Sequence, residues 1–423
     1  MFIVYDIIFL IIAIFFLPVY LFRGKFHGGF WARLGFFSKD LKLDKPIWVH
    51  AVSVGEAMAA KELIAGLRKA YPAKRLVIST VTPTGNKIAR GLATETDLVT
   101  YLPLDFSFSV RTAIKRIDPS LFIIVETELW PNLISYLHKK KIPVVIVNGR
   151  LSDDSFRGYS AIKFLLKSVL KKVSLFCVQS ENDKRKLISL GVSQEDIQVT
   201  GNMKFDATGL KIEANTLIQC RRNLALEETD KLWVCGSTHP GEEKMLLEAY
   251  KNLLKSYPAL KLLIAPRHPE RAQEVADLIK RFNFEPVRLS LLNLRTEELK
   301  NLRAVFILDT VGQMMDYYAL ADIVFVGGTL VKKGGHNILE PASLGKAILF
   351  GPYMFNFRDI AELFLARQAA ILVYNTTELE KKISQLLDAP SGALVLAQRA
   401  RDTITLGSGA TTRNLELIKR YAR

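Results

Sequence analysis

The chain has 423 residues, more than one ordinary hydrophobic core accommodates, so its length predicts two domains. Hydrophobic residues make up 49% and charged residues 24%, which is a globular composition with an apolar surplus. Lysine and arginine outnumber aspartate and glutamate by 58 to 42, but no nucleic-acid recognition motif or stacking platform accompanies this basic excess, so nucleic acid is not an expected partner.

The first predicted element is an apolar helix over residues 2–22, FIVYDIIFLIIAIFFLPVYLF, whose only charge is Asp6. A helix of this length spans the roughly 30 Å hydrocarbon core of a bilayer. A cleaved signal peptide would have a basic start and small residues at a cleavage site, and both are missing; a buried core helix is the other alternative. We expect a retained membrane anchor. Because Arg23, Lys25 and Arg33 all follow it, the positive-inside rule places the remaining chain in the cytoplasm.

A second feature suited to a membrane is the stretch KFLLKSVLKK, residues 163–172, in which lysines alternate with apolar residues at helical spacing. Beside a membrane anchor, attraction to anionic lipid headgroups accounts for this pattern, and membrane lipids are therefore expected partners. A solvated helix face is the alternative.

Short apolar runs then alternate with amphipathic helical patterns, which predicts parallel sheets covered on both faces. Strands are predicted at residues 47–52, 76–81, 98–102, 121–125, 144–147, 175–178 and 197–199, and again at 232–235, 262–265, 305–308, 323–326, 347–350 and 370–373. The fold class is therefore α/β, with two doubly wound Rossmann-like domains. The predicted divisions are an anchor (1–22), a first domain (23–210), a linker (211–230), a second domain (231–409) and a final helix (410–423). In two-domain folds of this kind such a helix can cross back to the first domain.

Neither cysteine nor histidine spacing indicates a metal or cofactor. Cys177, Cys220 and Cys235 form no CxxC pair and lie in or beside apolar sequence, which predicts buried free thiols in a reducing compartment. The histidines show no HxxH, HxxxH or HExxH spacing, and no two aspartates stand at i and i+2. We therefore expect no metal site, no Asp-x-Asp device for a nucleotide diphosphate and no cofactor.

In doubly wound sheets, ligands bind beyond the carboxyl ends of the strands, so the turns that follow strands are the candidate sites. In the second half, VFVGGTLVKKGGHNILEPASLG (residues 324–345) places Gly327-Gly328-Thr329 at a strand end and a second glycine pair before His336. Glycines let backbone N–H groups approach an oxyanion. Glu340, one helical turn past His336, could accept hydrogen bonds from ribose hydroxyls. The alternative is a tight glycine turn with Glu340 as a solvated charge.

The first half has its own polar strand ends, which suggest a cleft facing the second domain. They are HAVSVGE (50–56), STVTPTG (79–85), VETELWPN (125–132) and NGRLSDD (148–154). Glu56 follows a glycine turn and lies in the first turn of a predicted helix. The helix dipole alone would stabilise it there by about 0.3–1 kcal/mol, while lowering its pKa and keeping it ionised. Glu56 is therefore either a dipole-stabilising charge or a catalytic base, and Glu128 could support it, orient a sugar or cap the helix near Pro131.

Seven stretches together resemble the 3-deoxy-D-manno-octulosonic acid (Kdo) transferases of Gram-negative bacteria: HAVSVGE, TPTG, ETELWPN, NGRLSD, TGNMKFD, APRHPER and GGHNILEP. The resemblance runs from the anchor to the final helix. It implies a B-type glycosyltransferase fold with an acceptor domain first and a nucleotide-sugar domain second. It also implies an enzyme of the bacterial inner membrane that transfers Kdo from the donor CMP-Kdo to the acceptor, a lipid A precursor, without a metal.

By the same resemblance, Glu56 is similar to the base that deprotonates the acceptor hydroxyl, and the Arg-His, Gly-Gly-Thr and His-Asn-x-x-Glu segments resemble a CMP pocket. The candidate catalytic residues are Glu56 and Glu128, and the candidate substrate- or nucleotide-binding residues are Ser53, Gly55, Arg267, His268, Gly327, Gly328, Thr329, Gly335, His336, Asn337 and Glu340. Lys204 could meet an anionic ligand or be a linker charge. The competing functions are a membrane-associated transferase that uses a UDP-sugar and a non-catalytic binder of nucleotides or glycolipids.

Overall fold

The computed structural model of the chain describes residues 5–7, 9–11, 29–38, 41, 43–208, 212–292 and 303–422. The chain divides into two compact units, Met1–Ala207 with Gly407–Arg423 and Thr208–Leu406. Within the described residues, no helix combines the length and the apolar character needed to cross a bilayer. Most of the predicted anchor, residues 2–4, 8 and 12–22, lies outside the described residues.

The first unit contains a parallel sheet of seven strands in the order β3-β2-β1-β4-β5-β6-β7. Its strands are β1 (Ile47–His50), β2 (Leu76–Thr80), β3 (Leu98–Tyr101), β4 (Leu121–Val125), β5 (Val144–Gly149), β6 (Leu175–Val178) and β7 (Ile197–Val199). The central strands are buried along their whole length, because helices cover both faces of the sheet. Every strand predicted for this half of the chain is confirmed.

The helices of the first unit connect these strands in chain order. They are α1 (Phe30–Arg33), α2 (Val54–Ala59), α3 (Lys61–Ala70), α4 (Pro83–Leu92), α5 (Ser107–Ile117), α6 (Pro131–Lys139), α7 (Asp153–Ala161), α8 (Lys163–Leu170) and α9 (Glu181–Leu190). Their buried faces are apolar at helical spacing, as in α3, where Leu63, Ile64 and Leu67 are buried. The helices thus cover the sheet and leave its strand ends open to carry polar side chains.

The second unit contains another parallel sheet of seven strands, in the order β10-β11-β9-β8-β12-β13-β14. Its strands are β8 (Lys231–Thr238), β9 (Leu260–Pro266), β10 (Glu285–Arg288), β11 (Ala304–Ile307), β12 (Ile323–Val326), β13 (Ala347–Phe350) and β14 (Ile371–Leu372). Its helices are α10 (Ala214–Asn223), α11 (Glu242–Leu253), α12 (Ala272–Arg281), α13 (Met314–Leu320), α14 (Leu339–Ser343), α15 (Arg358–Ala366), α16 (Thr376–Asp388) and α17 (Pro390–Gly407). The predicted strands are again confirmed, and β10 is an addition.

The final helix, α18 (Ala410–Ile418), belongs to the first unit. The Asp206 carboxylate accepts hydrogen bonds from the N–H groups of Gly409 and Thr411, both at 2.6 Å, so it satisfies donors at the start of this helix. Leu415 lies directly over Gly66 of α3, where a Cβ would come within 2.3 Å of the leucine side chain. These contacts join the last helix of the chain to the first sheet.

Candidate active site

The polar motifs of the first unit lie at the carboxyl ends of four neighbouring strands. HAVSVGE follows β1, TPTG follows β2, ETELWPN follows β4 and NGRLSD follows β5, and these strands are adjacent in the order β2-β1-β4-β5. All four are parallel, so their carboxyl ends meet at one edge of the sheet. Motifs that are far apart in the sequence are thereby brought to one edge of the unit.

Glu56 is held at the start of α2 by two hydrogen bonds. Its Oε2 accepts from the N–H of Val52 at 2.6 Å, and its Oε1 accepts from Oγ of Ser53 at 3.0 Å. Burial raises the pKa of Glu56 above its ordinary value, although the bond from Val52 opposes the rise. The net direction is therefore opposite to the lowering that the helix dipole alone predicts, and burial of the carboxylate is its largest cause.

Ser53 and Gly55 flank this carboxylate. Ser53 is the residue that precedes α2, and its hydroxyl donates to Glu56 rather than to a substrate. Gly55 is exposed, and a Cβ there would meet only Ser53 Oγ, at 4.0 Å. The α2 start is thus accessible at Gly55, immediately before the candidate base.

Glu128 lies in the same group of strand ends but in a different environment. Burial, followed by the negative charge of Glu56, raises the pKa of Glu128 to about 7. The proposal that Glu128 caps the following helix is wrong, because the N–H groups of Asn132 and Leu133 donate to the Asp105 carboxylate at 3.1 and 2.8 Å. Glu128 is therefore not engaged in capping α6 and is available to a ligand.

His50, the first residue of HAVSVGE, was not among the predicted site residues. Its side chain is completely buried, and burial lowers its pKa to about 4. Its Nδ1 lies 3.0 Å from the carbonyl oxygen of Ser79, and its Nε2 lies 4.0 Å from Glu128 Oε2. The proximity to Glu128 arises from the pairing of β1 with β4, which only the three-dimensional structure reveals.

Lys204 follows β7 and completes the charged groups at this edge. Its Nζ lies 3.1 Å from Oε1 of Glu126, and its positive charge also opposes the rise in the pKa of Glu56. Glu126 has a left-handed backbone (φ 65°), which directs the chain sharply at the end of β4. Lys204 is thus a member of the carboxylate cluster rather than an isolated linker charge.

The second unit places its candidate residues at the ends of three neighbouring strands, β9, β8 and β12. Arg267 and His268 follow β9 and are exposed, whereas His239 follows β8 and is buried. Burial and then the positive charge of Arg267 lower the pKa of His336, and the same charge opposes the burial-driven rise in the pKa of Glu340. These three predicted residues therefore lie in one electrostatic neighbourhood.

His239 and His336 form a pair that the sequence did not predict. Their Nε2 atoms are 2.9 Å apart and their rings are nearly parallel. Burial, followed by the charge of Arg267, lowers the pKa of His336 to about 4, and burial followed by the charge of Lys333 lowers the pKa of His239. At neutral pH both rings are therefore uncharged, and Arg267 and Lys333 supply the nearby positive charge.

The Gly-Gly-Thr loop does not present its backbone donors to a ligand. The carboxylate of Glu242, which is fully buried, accepts hydrogen bonds from the N–H groups of Gly328, Thr329 and Leu330 at 2.7–2.9 Å. The Thr329 hydroxyl is also engaged, since it donates to the carbonyl of Val326. These amides were expected to bind an oxyanion of a ligand, but in this structure they donate to a carboxylate of the protein itself.

The glycines of this region are explained in part by packing. A Cβ at Gly327 would lie 2.5 Å from the backbone oxygen of Ser237, so only glycine permits this approach of β12 to β8. A Cβ at Gly335 would meet Met354 Sδ at 2.3 Å, and its φ of 75° adds backbone strain for other residues. Gly327 and Gly335 thus have structural roles whether or not they also contact a nucleotide.

Asn337 and Glu340 act as a unit at the start of α14. The Asn337 amide donates to Glu340 Oε1 at 3.1 Å, and its oxygen accepts from the N–H of Leu339 at 3.1 Å. Burial raises the pKa of Glu340, and Asn337 and then Arg267 oppose that rise. Glu340 is therefore a desolvated, oriented carboxylate and not the solvated charge that the alternative interpretation required.

Histidine, cysteine and carboxylate side chains at these strand ends are the groups that could ligate a metal ion. In the part of the chain that the structure describes, no three His, Cys, Asp or Glu side chains are arranged to hold a metal ion. The three cysteines are buried and free, as predicted.

Comparison with known proteins connects these sites to a family. Residues 28–207 match the family model described as 3-Deoxy-D-manno-octulosonic-acid transferase (kdotransferase). A 3-deoxy-D-manno-octulosonic acid transferase of Haemophilus influenzae is 37% identical over 377 residues, which are 89% of this chain and 87% of that protein.

Two solved structures share the fold at low sequence identity. A UDP-GlcNAc 2-epimerase from Neisseria meningitidis bound to UDP-GlcNAc has a TM-score of 0.61 and 15% identity, over 89% of this chain and 100% of that chain. A glycosyltransferase from Rickettsia africae has a TM-score of 0.57 and 16% identity, over 90% and 99%. These likenesses agree with two α/β domains that each carry a parallel sheet, which is the part of the predicted fold class that is confirmed.

Proposed function

This chain belongs to the 3-deoxy-D-manno-octulosonic acid (Kdo) transferase family, and from that premise we propose that it transfers Kdo from CMP-Kdo to a hydroxyl of a lipid A precursor. The observation that carries the proposal is the carboxylate of Glu56, oriented by two hydrogen bonds at a strand end and accessible beside Gly55. A glycosyl transfer needs a base of this kind, because an alcohol is a poor nucleophile until its proton is removed.

Glu56 acts as the general base in this proposal. The acceptor oxygen forms a bond to the anomeric carbon of Kdo while the bond from that carbon to the phosphate oxygen breaks. The acceptor proton passes to Glu56, and CMP departs with the electron pair. Burial raises the pKa of Glu56 toward the working pH, which improves a carboxylate as a proton acceptor, and a positioned base typically contributes about 10²–10⁴-fold.

The second unit holds the donor in this proposal. Arg267 and His268 are exposed at the end of β9, where fixed positive charge can stabilise the departing phosphate. Glu340, oriented by Asn337, is suited to accept hydrogen bonds from the ribose hydroxyls. Since Glu242 occupies the amides of residues 328–330, the phosphate depends on side-chain cations rather than on that loop.

The stereochemistry follows from having one base and one leaving group. A single in-line displacement inverts the anomeric configuration of the transferred sugar, because the acceptor enters opposite the departing CMP. We therefore expect inversion, measured by NMR of the product. A product that retained the donor configuration would exclude this displacement and would require a covalent intermediate on the enzyme.

We place the enzyme at the cytoplasmic face of the bacterial inner membrane, anchored by residues 1–22. Support comes from the first unit, where the aromatic side chains of Trp31, Phe36 and Phe108 are exposed and in ring contact as a chain. Exposed aromatic residues are enriched at membrane interfaces. This location delivers the lipid acceptor to Glu56.

The test is transfer of labelled Kdo from CMP-Kdo to a lipid A precursor by the full chain in membranes. Wild type should form the product, and Glu56→Gln should lower kcat by about 10²–10⁴-fold, since it removes the base but keeps the side-chain shape. The matched control is Glu62→Gln, an exposed carboxylate in the first turn of α3, which should retain activity. Absence of transfer by folded wild-type protein would overturn the proposal.

The donor nucleotide is tested separately, because a UDP-sugar is the competing donor. We expect CMP to raise the melting temperature of the wild-type protein more than UDP does at equal concentration, since ligand binding to the folded state stabilises it. A larger shift with UDP would favour the competing transferase.

A further inference from the structure

Glu56 and Glu128 are two carboxyl groups of one site. The oxygens of Glu56 face hydrogen-bond donors, whereas Oε2 of Glu128 faces a ring nitrogen of His50. Both oxygens of Glu56 receive hydrogen bonds, from Val52 and from Ser53. Donors of this kind stabilise the ionised form of a carboxylate. In contrast, Glu128 Oε2 is buried and has no hydrogen-bond partner among the described residues. Both oxygens of Glu56 are thus stabilised as an anion by donors, whereas Oε2 of Glu128 is not.

The atom opposite Glu128 Oε2 is Nε2 of His50, 4.0 Å away. His50 is fully buried, and its Nε2 also lacks a hydrogen-bond partner within the described chain. Its Nδ1 lies 3.0 Å from both the carbonyl oxygen and the hydroxyl oxygen of Ser79. The carbonyl can only accept and the hydroxyl can accept as well, so we assign the proton to Nδ1 and the lone pair to Nε2. A lone pair repels a carboxylate but accepts a hydrogen bond from a carboxylic acid.

We propose that Glu56 and Glu128 together carry a single negative charge in the working enzyme, and that His50 places the shared proton on Glu128 by accepting a hydrogen bond from its Oε2–H. A small rotation of the Glu128 side chain closes the 4.0 Å separation to hydrogen-bond distance. This inference rests on the proposed role of Glu56 as base. His50 is then a positioning residue, since it acts through Glu128 and does not touch the substrate.

The other groups around Glu128 are consistent with a proton on it. Burial and the charges of Glu56 and Glu126 raise its pKa to about 7, and the Trp130 indole opposes the rise. The Tyr159 hydroxyl on α7 also interacts with Glu128, and it is neutral because burial raises its pKa. Lys204 is paired with Glu126.

A neutral Glu128 has a specific use in this reaction. CMP-Kdo carries a phosphate and a carboxylate, so a second ionised carboxyl beside Glu56 would repel the donor. With its proton directed to His50, Glu128 keeps Oε1 as an uncharged acceptor for a sugar hydroxyl. Above the pKa of Glu128 this group ionises, and KM for CMP-Kdo should rise while Glu56 remains available as base.

The first experiment locates the proton without requiring activity. Infrared difference spectra of the full chain at pH 6 should show the C=O stretch of a protonated carboxylic acid that titrates near pH 7. The Asp105 carboxyl adds a second component to this band, because burial also raises its pKa to about 7. The component that belongs to Glu128 should be lost in Glu128→Gln and remain in Glu56→Gln. A component that is lost only in Glu56→Gln, or no such band in folded wild type, would overturn the assignment. Failure of Kdo transfer would leave this spectrum readable, so the two proposals fail separately.

The second experiment tests His50. His50→Phe removes the acceptor but retains an aromatic ring, whereas His50→Gln can still accept through its amide oxygen. We expect the carboxylic-acid band of His50→Phe to titrate about one pH unit lower than in wild type, and the pH at which KM for CMP-Kdo rises to fall equally. His50→Gln should restore both midpoints toward wild type. Unchanged midpoints in His50→Phe would contradict the role of His50, as would equal shifts in both variants.

Discussion

At the scale of single residues, Arg267 has an electrostatic effect that can be measured apart from catalysis. It is exposed at the end of β9, and its positive charge lowers the pKa of His336. In Arg267→Ala the pKa of His336 should rise from about 4 toward its ordinary value, because a nearby positive charge no longer opposes protonation. NMR titration of the His336 ring measures this change.

The same substitution tests the proposed donor contact. Loss of one charge-assisted hydrogen bond, about 1.5–3 kcal/mol, corresponds to roughly a 10- to 100-fold rise in KM for CMP-Kdo. Arg281→Ala, an exposed arginine at the end of α12, is the matched control and should change neither KM nor the His336 titration. Arg267→Lys keeps the positive charge, so its KM for CMP-Kdo should rise less than that of Arg267→Ala. A KM in Arg267→Ala equal to that of wild type would show that Arg267 does not contact the donor.

At the scale of single residues, the sequence predicted contacts between residues that are close along the chain better than contacts between residues that are far apart. The place of Glu56 in the first turn of a helix was predictable because it depends on a local motif, and the residues that hydrogen-bond its carboxylate, Val52 and Ser53, lie within four positions of it. His50 stands in the same motif, but its relation to Glu128 depends on the pairing of β1 with β4. Likewise, no local pattern indicates that Glu242 occupies the amides of a loop more than eighty residues later.

At the scale of elements, the Gly-Gly-Thr loop is fastened to the start of α11 by Glu242. In Glu242→Gln, one carboxylate oxygen becomes an NH₂ group that faces backbone donors, so buried N–H groups lose their acceptor. Each unsatisfied buried group costs about 1–3 kcal/mol, and we expect a loss of roughly 3 kcal/mol in the free energy of unfolding of this unit.

Hydrogen exchange localises that effect, because the amides of residues 328–330 should lose protection in Glu242→Gln before the sheet does. Glu248→Gln on the same helix is the control, since Glu248 is a partly exposed residue that makes a long, 3.8 Å ion pair with Lys244. Unchanged exchange at residues 328–330 would show that the carboxylate does not fasten the loop.

The elements that were predicted correctly from the sequence are more deeply buried than those that were missed. Strands such as β4 and β12 are apolar along their length because both faces are covered, so they were recognisable. The strand β10, Glu-Pro-Val-Arg, is at an edge of its sheet and mixes proline with charge, which hides it. The predicted linker at residues 211–230 contains α10, whose only buried residue among those described is Cys220, so its pattern was polar.

At the scale of the whole molecule, α8 has an outer face that the described residues of the first unit leave exposed. Leu166, Val169 and Leu170 are buried against the unit, whereas Phe164 is 91% exposed and Leu165 is 55% exposed. Exposed lysines accompany them at positions 163, 167 and 171. An apolar outer face surrounded by lysines is the pattern of a helix that lies on an anionic membrane.

The double variant Phe164→Ser/Leu165→Ser should therefore weaken binding of the full chain to vesicles that contain anionic lipid. Each large apolar side chain contributes up to about 1.5–3 kcal/mol when fully buried, and partial insertion at the interface makes roughly a tenfold loss of partitioning the expected result. Leu394→Ser/Val395→Ser, on the exposed face of α17 in the second unit, is the matched control and should bind as wild type does. Raising the salt concentration should weaken wild-type binding, because the lysines at 163, 167 and 171 act through screened charge. If the two double variants bind equally well, α8 is an ordinary solvated helix, and the membrane must be contacted elsewhere, for example by residues 1–22.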